Sequence, residues 1–366
     1  MNSAFSVYLD LVRFAAAFLV YLYHSNQRWL IEESLPMGHY GHAAVIVFFV
    51  LSGFVIAWVT DTKENSWPVY AASRLSRVFS VVIPALVLCV VLDGVGRSLN
   101  PAIYAGYPFD QLVVRLVASL AMVNEVWFVS ITSLSNVPFW SITYEFWYYV
   151  LFALVTFLPR GLGLWAAALL LLGLGPKIAL LAPIWIAGVV LYRWQALQRL
   201  PVRWSWVLVV ASSVLIVALH AGGQFDAIST EFEKVVGAQW YRELTFSKFF
   251  VADYLLATLV FCNFAGMRVV APQIARVFAS ISAPVKWLAG YTFTFYLLHQ
   301  PLFLFWGSLV RMDRQGTIAW WTVTALTLGS VFVIGQLTEQ RRPWLRRWLL
   351  GQLVALQQTL RGDERG

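Results

Sequence analysis

Apolar runs of about 17 to 25 residues, each long enough to cross a bilayer as a helix, recur from residue 7 to residue 337. Inside hydrocarbon every backbone N–H and C=O must be paired within the segment, so runs of this length can only be helices. They fall near residues 7–26, 42–60, 77–95, 139–158, 161–176, 178–193, 203–221, 245–264, 285–310 and 318–337. The fold expected is therefore all-α: a polytopic membrane helix bundle of about ten transmembrane spans. Charged residues make up only 12% of the chain, about half the share usual in soluble domains. No stretch is left for a soluble domain, and residues 1–366 read as one transmembrane domain with spans over about 7–337 and a basic tail over 338–366. The first run has no basic residue before it and carries Asp10 and Arg13 within it, which fits a retained span rather than a cleaved leader.

Residues 112–130 are apolar but interrupted by Arg115, Asn124 and Glu125. Charge decides whether they cross. Cytoplasmic segments of membrane proteins are enriched in Lys and Arg. Ten spans with a cytoplasmic start place sixteen of the 26 basic residues inside and nine outside, with Arg13 in a span. The inside set includes Arg341, Arg342, Arg346, Arg347, Arg361 and Arg365; the outside set includes Arg311 and Arg314. An eleventh crossing at 112–130 would put the six tail arginines outside. The segment is thus expected to be surface-lying or re-entrant, with both termini cytoplasmic. The same asymmetry accounts for the net charge of +8 without a nucleic-acid partner. Cys89 and Cys262 sit in apolar surroundings and suggest neither a disulfide framework nor a thiolate metal site.

Four segments could carry chemistry. In the first span, Arg13 and His24 are eleven residues apart, about three turns plus 20°, so they share a face roughly 16 Å apart along the axis, with Asp10 close to that face. Ionisable groups at this depth need protein or water around them. The plainer reading is an Asp10–Arg13 pair at i, i+3 with His24 at a wet interface. The second segment, Phe139 to Tyr149, carries Ser141 and Glu145. With ten spans Glu145 and His24 both lie toward the outer side, where a carboxylate could orient an imidazole as an acid/base pair; an interfacial aromatic belt is the alternative. The third, Ser73 to Arg77, puts Arg74 and Arg77 three apart, able to fork onto phosphate oxygens or to serve as topological anchors. The fourth places His299 two residues before Pro301. That proline frees a carbonyl one turn back, so a polar neighbour there could be structural. His39 and His42 have metal-like spacing but no third ligand, and no metal is expected.

Taken together, these segments resemble the acyltransferase 3 family of integral membrane acyltransferases. Members carry an Arg, ten residues and a His in the first span, as Arg13 and His24 do here. A segment like Phe48 to Phe54 follows, then a basic pair matched by Arg74 and Arg77, then a Trp-Ser motif with a Glu, matched by Trp140, Ser141 and Glu145. Tyr296 to Pro301 and then Glu339 and Pro343 complete the order. Ala44 and Ile46 depart from the family, where many members have Gly and an acidic or polar residue. The resemblance is to the stand-alone form, without a periplasmic hydrolase-like domain, in a bacterial inner membrane. It implies transfer of an acyl group, acetyl being the expected one, from cytoplasmic acyl-CoA as co-substrate, with no bound cofactor. The acceptor it implies is a hydroxyl of a surface or lipid-linked extracytoplasmic glycan. On that reading His24 is the general base, Glu145 orients it, Arg13 stabilises the donor, and Arg74 and Arg77 hold its phosphates. Asp10, Ser141 and His299 are secondary candidates. The competing class is a transporter or flippase with an intramembrane proton relay.

Overall fold

The computed structural model describes residues 2–310 and 317–363. Arg311, Arg314 and Arg365, which entered the charge count, lie outside the described residues, as does the Arg361 side chain. The helices in chain order are α1 (Ser3–Ser25), α2 (Gly41–Lys63), α3 (Trp67–Leu99), α4 (Leu112–Leu120) and α5 (Phe139–Phe157). There follow α6 (Arg160–Leu174), α7 (Pro176–Arg193), α8 (Val202–Ala221), α9 (Gln224–Val236) and α10 (Ala238–Glu243). The last are α11 (Phe250–Val270), α12 (Ala275–Ala289), α13 (Thr292–Leu309), α14 (Thr317–Leu337) and α15 (Arg342–Asp363). No strand occurs among the described residues, and the protein is an all-α, polytopic helix bundle.

Seven helical stretches are long and apolar enough to cross a membrane, and α6 is a shorter apolar helix. The two remaining expected spans are α5 and α13, whose Ser, Thr, Tyr, Glu, His and Gln residues lower their hydropathy. Two span boundaries need correction. Residues 285–310 are not one helix: the chain breaks between α12 and α13 at Gly290 and Tyr291. The third span begins ten residues before 77, so Arg74 and Arg77 lie within this helix rather than on a turn just before it. At 33 residues α3 is about 50 Å long, well beyond a 30 Å hydrocarbon core, so part of it must project from the core.

Close helix packing explains part of the Phe48 to Phe54 segment. A Cβ on Gly53 would collide with the Trp185 carbonyl, and one on Gly188 with the Val50 carbonyl. With no side chain at either position, α2 and α7 approach backbone to backbone, the contact that small residues allow between membrane helices.

Residues 112–130 form no crossing. Nine residues of α4 rise only about 13 Å, and the chain then continues in turns to Pro138. The polar interruptions fasten this segment. Arg115 bonds Asp110 and the Thr132 carbonyl, Asn124 accepts from Thr143 at 2.6 Å, and Glu125 pairs with fully buried Lys177 at 2.6 Å. Asp93 of α3 accepts from both the backbone and the hydroxyl of Ser135. Next to it, Asn136 Nδ2 donates to the Leu297 carbonyl at 2.7 Å. That carbonyl is the one that Pro301 frees, four residues on in α13. Asn136, rather than His299, thus answers the carbonyl that Pro301 frees.

Candidate active site

Two cavities meet in the middle of the bundle. The first is lined by Arg13 of α1, Ser52 of α2, Arg74 and Arg77 of α3, Glu145 and Tyr149 of α5, and Glu339 beyond α14. The second is lined by His24, His42, Trp140, Phe246 and Lys248 among others. Val45 and Tyr296 line both, so they form the partition. The Tyr296 hydroxyl is tied to Ser141 Oγ at 2.6 Å, which fixes the ring of the partition and gives Ser141 a positioning place there.

The arginine cavity is built from groups on seven elements: α1, α2, α3, α5, α12, α13 and the turn that holds Glu339. Arg13 keeps Asp10 as a partner at 3.1 Å, and its side chain reaches the cavity from the middle of α1. Arg74 is buried and pairs with Glu64, Nη2 lying 2.6 Å from Oε2, and its guanidinium lies 5.4 Å from the Tyr70 ring. Arg77 makes no ion pair among the described residues and sits over Phe293. The two arginines expected to act as one phosphate fork are thus unlike: Arg74 is already neutralised, whereas Arg77 is an open cation. Arg342, at the start of α15, closes toward the same place through Ser73, 3.3 Å from its Oγ. Glu339 accepts from the backbone N–H and hydroxyl of Thr294 at 3.0 and 2.9 Å. It thereby caps α13, satisfying a first-turn donor that the helix itself cannot.

Glu145 does not partner His24. Its carboxylate accepts from Ser52 Oγ at 2.6 Å and from the Tyr149 hydroxyl, and Ser52 accepts in turn from Trp185 Nε1 at 3.2 Å. It lines the arginine cavity while His24 lines the other. The expected imidazole–carboxylate pair between them is absent. Seven residues into α5, Glu145 has descended about 9 Å from the helix start, far enough to pass the partition.

His24 instead lies against His299, with ring centroids 5.2 Å apart. His299 is fully buried, and its Nδ1 is 2.7 Å from the Tyr296 carbonyl and 3.2 Å from that of Phe295. A carbonyl only accepts, so Nδ1 carries the proton and Nε2 is the lone-pair nitrogen. That Nε2 is buried without a hydrogen-bond partner. The sequence reading missed a further pair: His42 Nε2 lies 3.0 Å from both oxygens of Asp253 on α11. His39 meanwhile stacks with His220 and lies tilted against Tyr40. Among the described residues no group of three or more His, Cys, Asp or Glu gathers as metal ligands would.

Helix ends sort cleanly between the cavities. Thr292 and Phe293 at the start of α13, and Glu339 just past α14, reach the arginine cavity. His24 at the end of α1, His42 at the start of α2, Trp140 at the start of α5 and Phe249 at the start of α11 reach the histidine cavity. These ends lie where ten alternating crossings without one at 112–130 would put them.

Comparison with known proteins agrees with this architecture. A family described as an acyltransferase domain matches residues 6–338. The acyltransferase MdmB of Streptomyces mycarofaciens is 28% identical over 151 residues. That match covers 39% of this chain and 37% of MdmB, so the matched part is well under half of the relative's length. No solved structure matches the chain. With the family match running from the first span to the end of the last, across every residue named above as lining either cavity except Glu339, this chain is a multi-pass membrane protein that belongs to the acyltransferase 3 family.

Proposed function

We propose that this protein moves an acyl group, acetyl in the simplest case, from acyl-CoA held at the arginine cavity to a glycan hydroxyl held at the histidine cavity. The observation that carries this reading is the pair of cavities meeting at Val45 and Tyr296, one lined by arginines and the other by histidines. A coenzyme A thioester is a polyanion on a slender arm. Arg77, without a carboxylate partner, meets its phosphates, with Arg74 and Arg342 beside it; guanidinium groups suit phosphate oxygens. The arm runs inward past Arg13 and brings the thioester to the partition.

His24 takes the proton of the acceptor hydroxyl as that oxygen attacks the thioester carbon. The C–O bond forms, the C–S bond breaks, and the proton is returned to the leaving thiolate. A sugar hydroxyl is too weak an acid to react unaided, and a positioned base contributes about 10²–10⁴-fold. His299 stands beside His24 as a fixed neutral imidazole whose Nε2 can accept a hydrogen bond, which makes it a positioning residue for the base. Glu145, held by Ser52 and Tyr149, belongs on this reading to the donor side, where it sets the charge around Arg13 and Arg77. The donor enters from the cytoplasm of a bacterial cell and the acceptor is a surface or lipid-linked glycan outside.

The test is transfer of radiolabelled acetyl from acetyl-CoA to isolated surface glycan by the purified protein. Label in the glycan with wild-type protein and none with His24→Ala is the expected result. Label that stays in acetyl-CoA with both proteins would refute the reading.

A further inference from the structure

Among the ionisable pairs that the mechanism above leaves unused, His42 and Asp253 face the acceptor's cavity. His42 is the second residue of α2, and Asp253 comes from α11, 211 positions later. Asp253 is only 3% exposed, and a buried carboxylate is tolerated when it is paired. Both of its oxygens lie 3.0 Å from His42 Nε2. Where the carboxylate is ionised it can only accept, so Nε2 carries the proton, and in the neutral ring Nδ1 is left as an oriented acceptor. Nδ1 makes no hydrogen bond among the described residues, and the His42 side chain, 28% exposed, lines the histidine cavity.

An aromatic floor adjoins it. The His42 and Trp140 rings lie within 13° of parallel with centroids 6.2 Å apart. Trp140 itself stacks on Phe246 at 4.6 Å and 2°. Flat rings beside a fixed acceptor are the chemistry that binds a pyranose, whose C–H face packs on the aromatic surface while a hydroxyl donates to the nitrogen. A tie between α2 and α11 alone would not need the ring to face a cavity or to stack with Trp140.

We infer that His42, oriented by Asp253, accepts a hydrogen bond from a hydroxyl of a pyranose acceptor other than the one acylated, with Phe246, backed by the buried Trp140, as the floor of that subsite. The inference rests on the acyl-transfer reading given above, and names His42 as a residue that selects the acceptor.

The experiment uses the full chain in detergent with acetyl-CoA and a panel of methyl pyranosides of the gluco, galacto and manno series. The best acceptor is then compared with its monodeoxy derivatives. His42→Ala should raise the acceptor KM about 10-fold, the size of one lost hydrogen bond, with kcat within about 3-fold and the donor KM unchanged. One monodeoxy derivative should be discriminated by wild-type protein and no longer by His42→Ala. Asp253→Asn still offers an oxygen to the Nε2 proton and should raise the acceptor KM less than Asp253→Ala. Unchanged acceptor constants in His42→Ala, or a fall in kcat with no change in acceptor KM, would overturn the inference while leaving the transfer reading intact. Wild-type protein that acylates none of the pyranosides would overturn it together with its glycan premise.

Discussion

At the scale of residues, the question is which histidine and which carboxylate work together. Removal of His24 should abolish transfer, a loss of at least about 10²-fold in kcat, with the protein still eluting as a single folded species, because the base is lost and packing is little changed. His299→Gln should lower kcat by a smaller factor, since Gln can hydrogen-bond the Tyr296 carbonyl but offers no lone-pair nitrogen. A His299→Gln variant as inactive as His24→Ala would move the base to His299. Glu145 was expected from its place in the chain to orient His24, and the hydrogen bonds from Ser52 and Tyr149 point elsewhere. Glu145→Gln should accordingly change the donor KM more than the pH profile of kcat. The two predictions separate by steady-state kinetics at several pH values, with acyl-CoA varied at saturating acceptor.

The paired arginines show how far spacing can be read. Three residues apart on a helix does put Arg74 and Arg77 on one face, and both line one cavity. What spacing could not reveal is Glu64, which occupies Arg74 from the end of the preceding helix. Arg77→Ala should therefore raise the donor KM with little effect on stability. Arg74→Ala leaves Glu64 buried without its partner, a change that costs about 3–5 kcal/mol in comparable sites. A lowered melting temperature in detergent for Arg74→Ala but not for Arg77→Ala is the expected result. Equal melting temperatures and equal donor KM values would restore the view of two equivalent anchors.

At the scale of elements, the helices were legible wherever hydropathy was uninterrupted, because a run of apolar residues in lipid has no other way to pair its backbone. The short α4 and the turns after it were also legible, through charge asymmetry rather than hydropathy. The break between α12 and α13 was not: it depends on Gly290, whose carbonyl accepts from Gln340 Nε2 at 2.8 Å, a contact made across fifty residues. Nor could the partner of the Pro301 kink be named, because Asn136 comes from a turn far away in sequence. Asn136→Leu should destabilise the bundle by about 1–3 kcal/mol, the cost of a buried carbonyl left unpaired. Gly53→Leu should do worse, since no rotamer avoids the Trp185 backbone. Thermal denaturation in detergent checks both, and a Gly53→Leu protein as stable as wild type would mean that α2 and α7 are not held in contact.

At the scale of the whole molecule, the arrangement of helix ends bears on where the reactants enter. The first third of α3 and the first turn of α13 reach the arginine cavity, whereas the first turns of α2 and α5 and the residue before α11 reach the histidine cavity. Family membership favours acyl transfer over the transporter reading, yet the bundle keeps a transporter-like feature: two cavities that draw on different helix ends and share Val45 and Tyr296. If donor and acceptor are used from opposite faces, protein reconstituted in one orientation should acylate glycan sealed inside the vesicle only when acyl-CoA is supplied at the face bearing Arg77. The partition supplies a control that a topological accident would not. Tyr296→Trp enlarges the ring between the cavities and removes the hydroxyl bonded to Ser141, so it should slow transfer across the membrane. It leaves Arg77 and the donor cavity in place, so donor binding, followed by protection of the protein against heat, should persist. Equal labelling of acceptor placed on the donor's own side would count against opposite-face use. It would mean that the reaction is completed on one side, with the acylated product carried across afterwards.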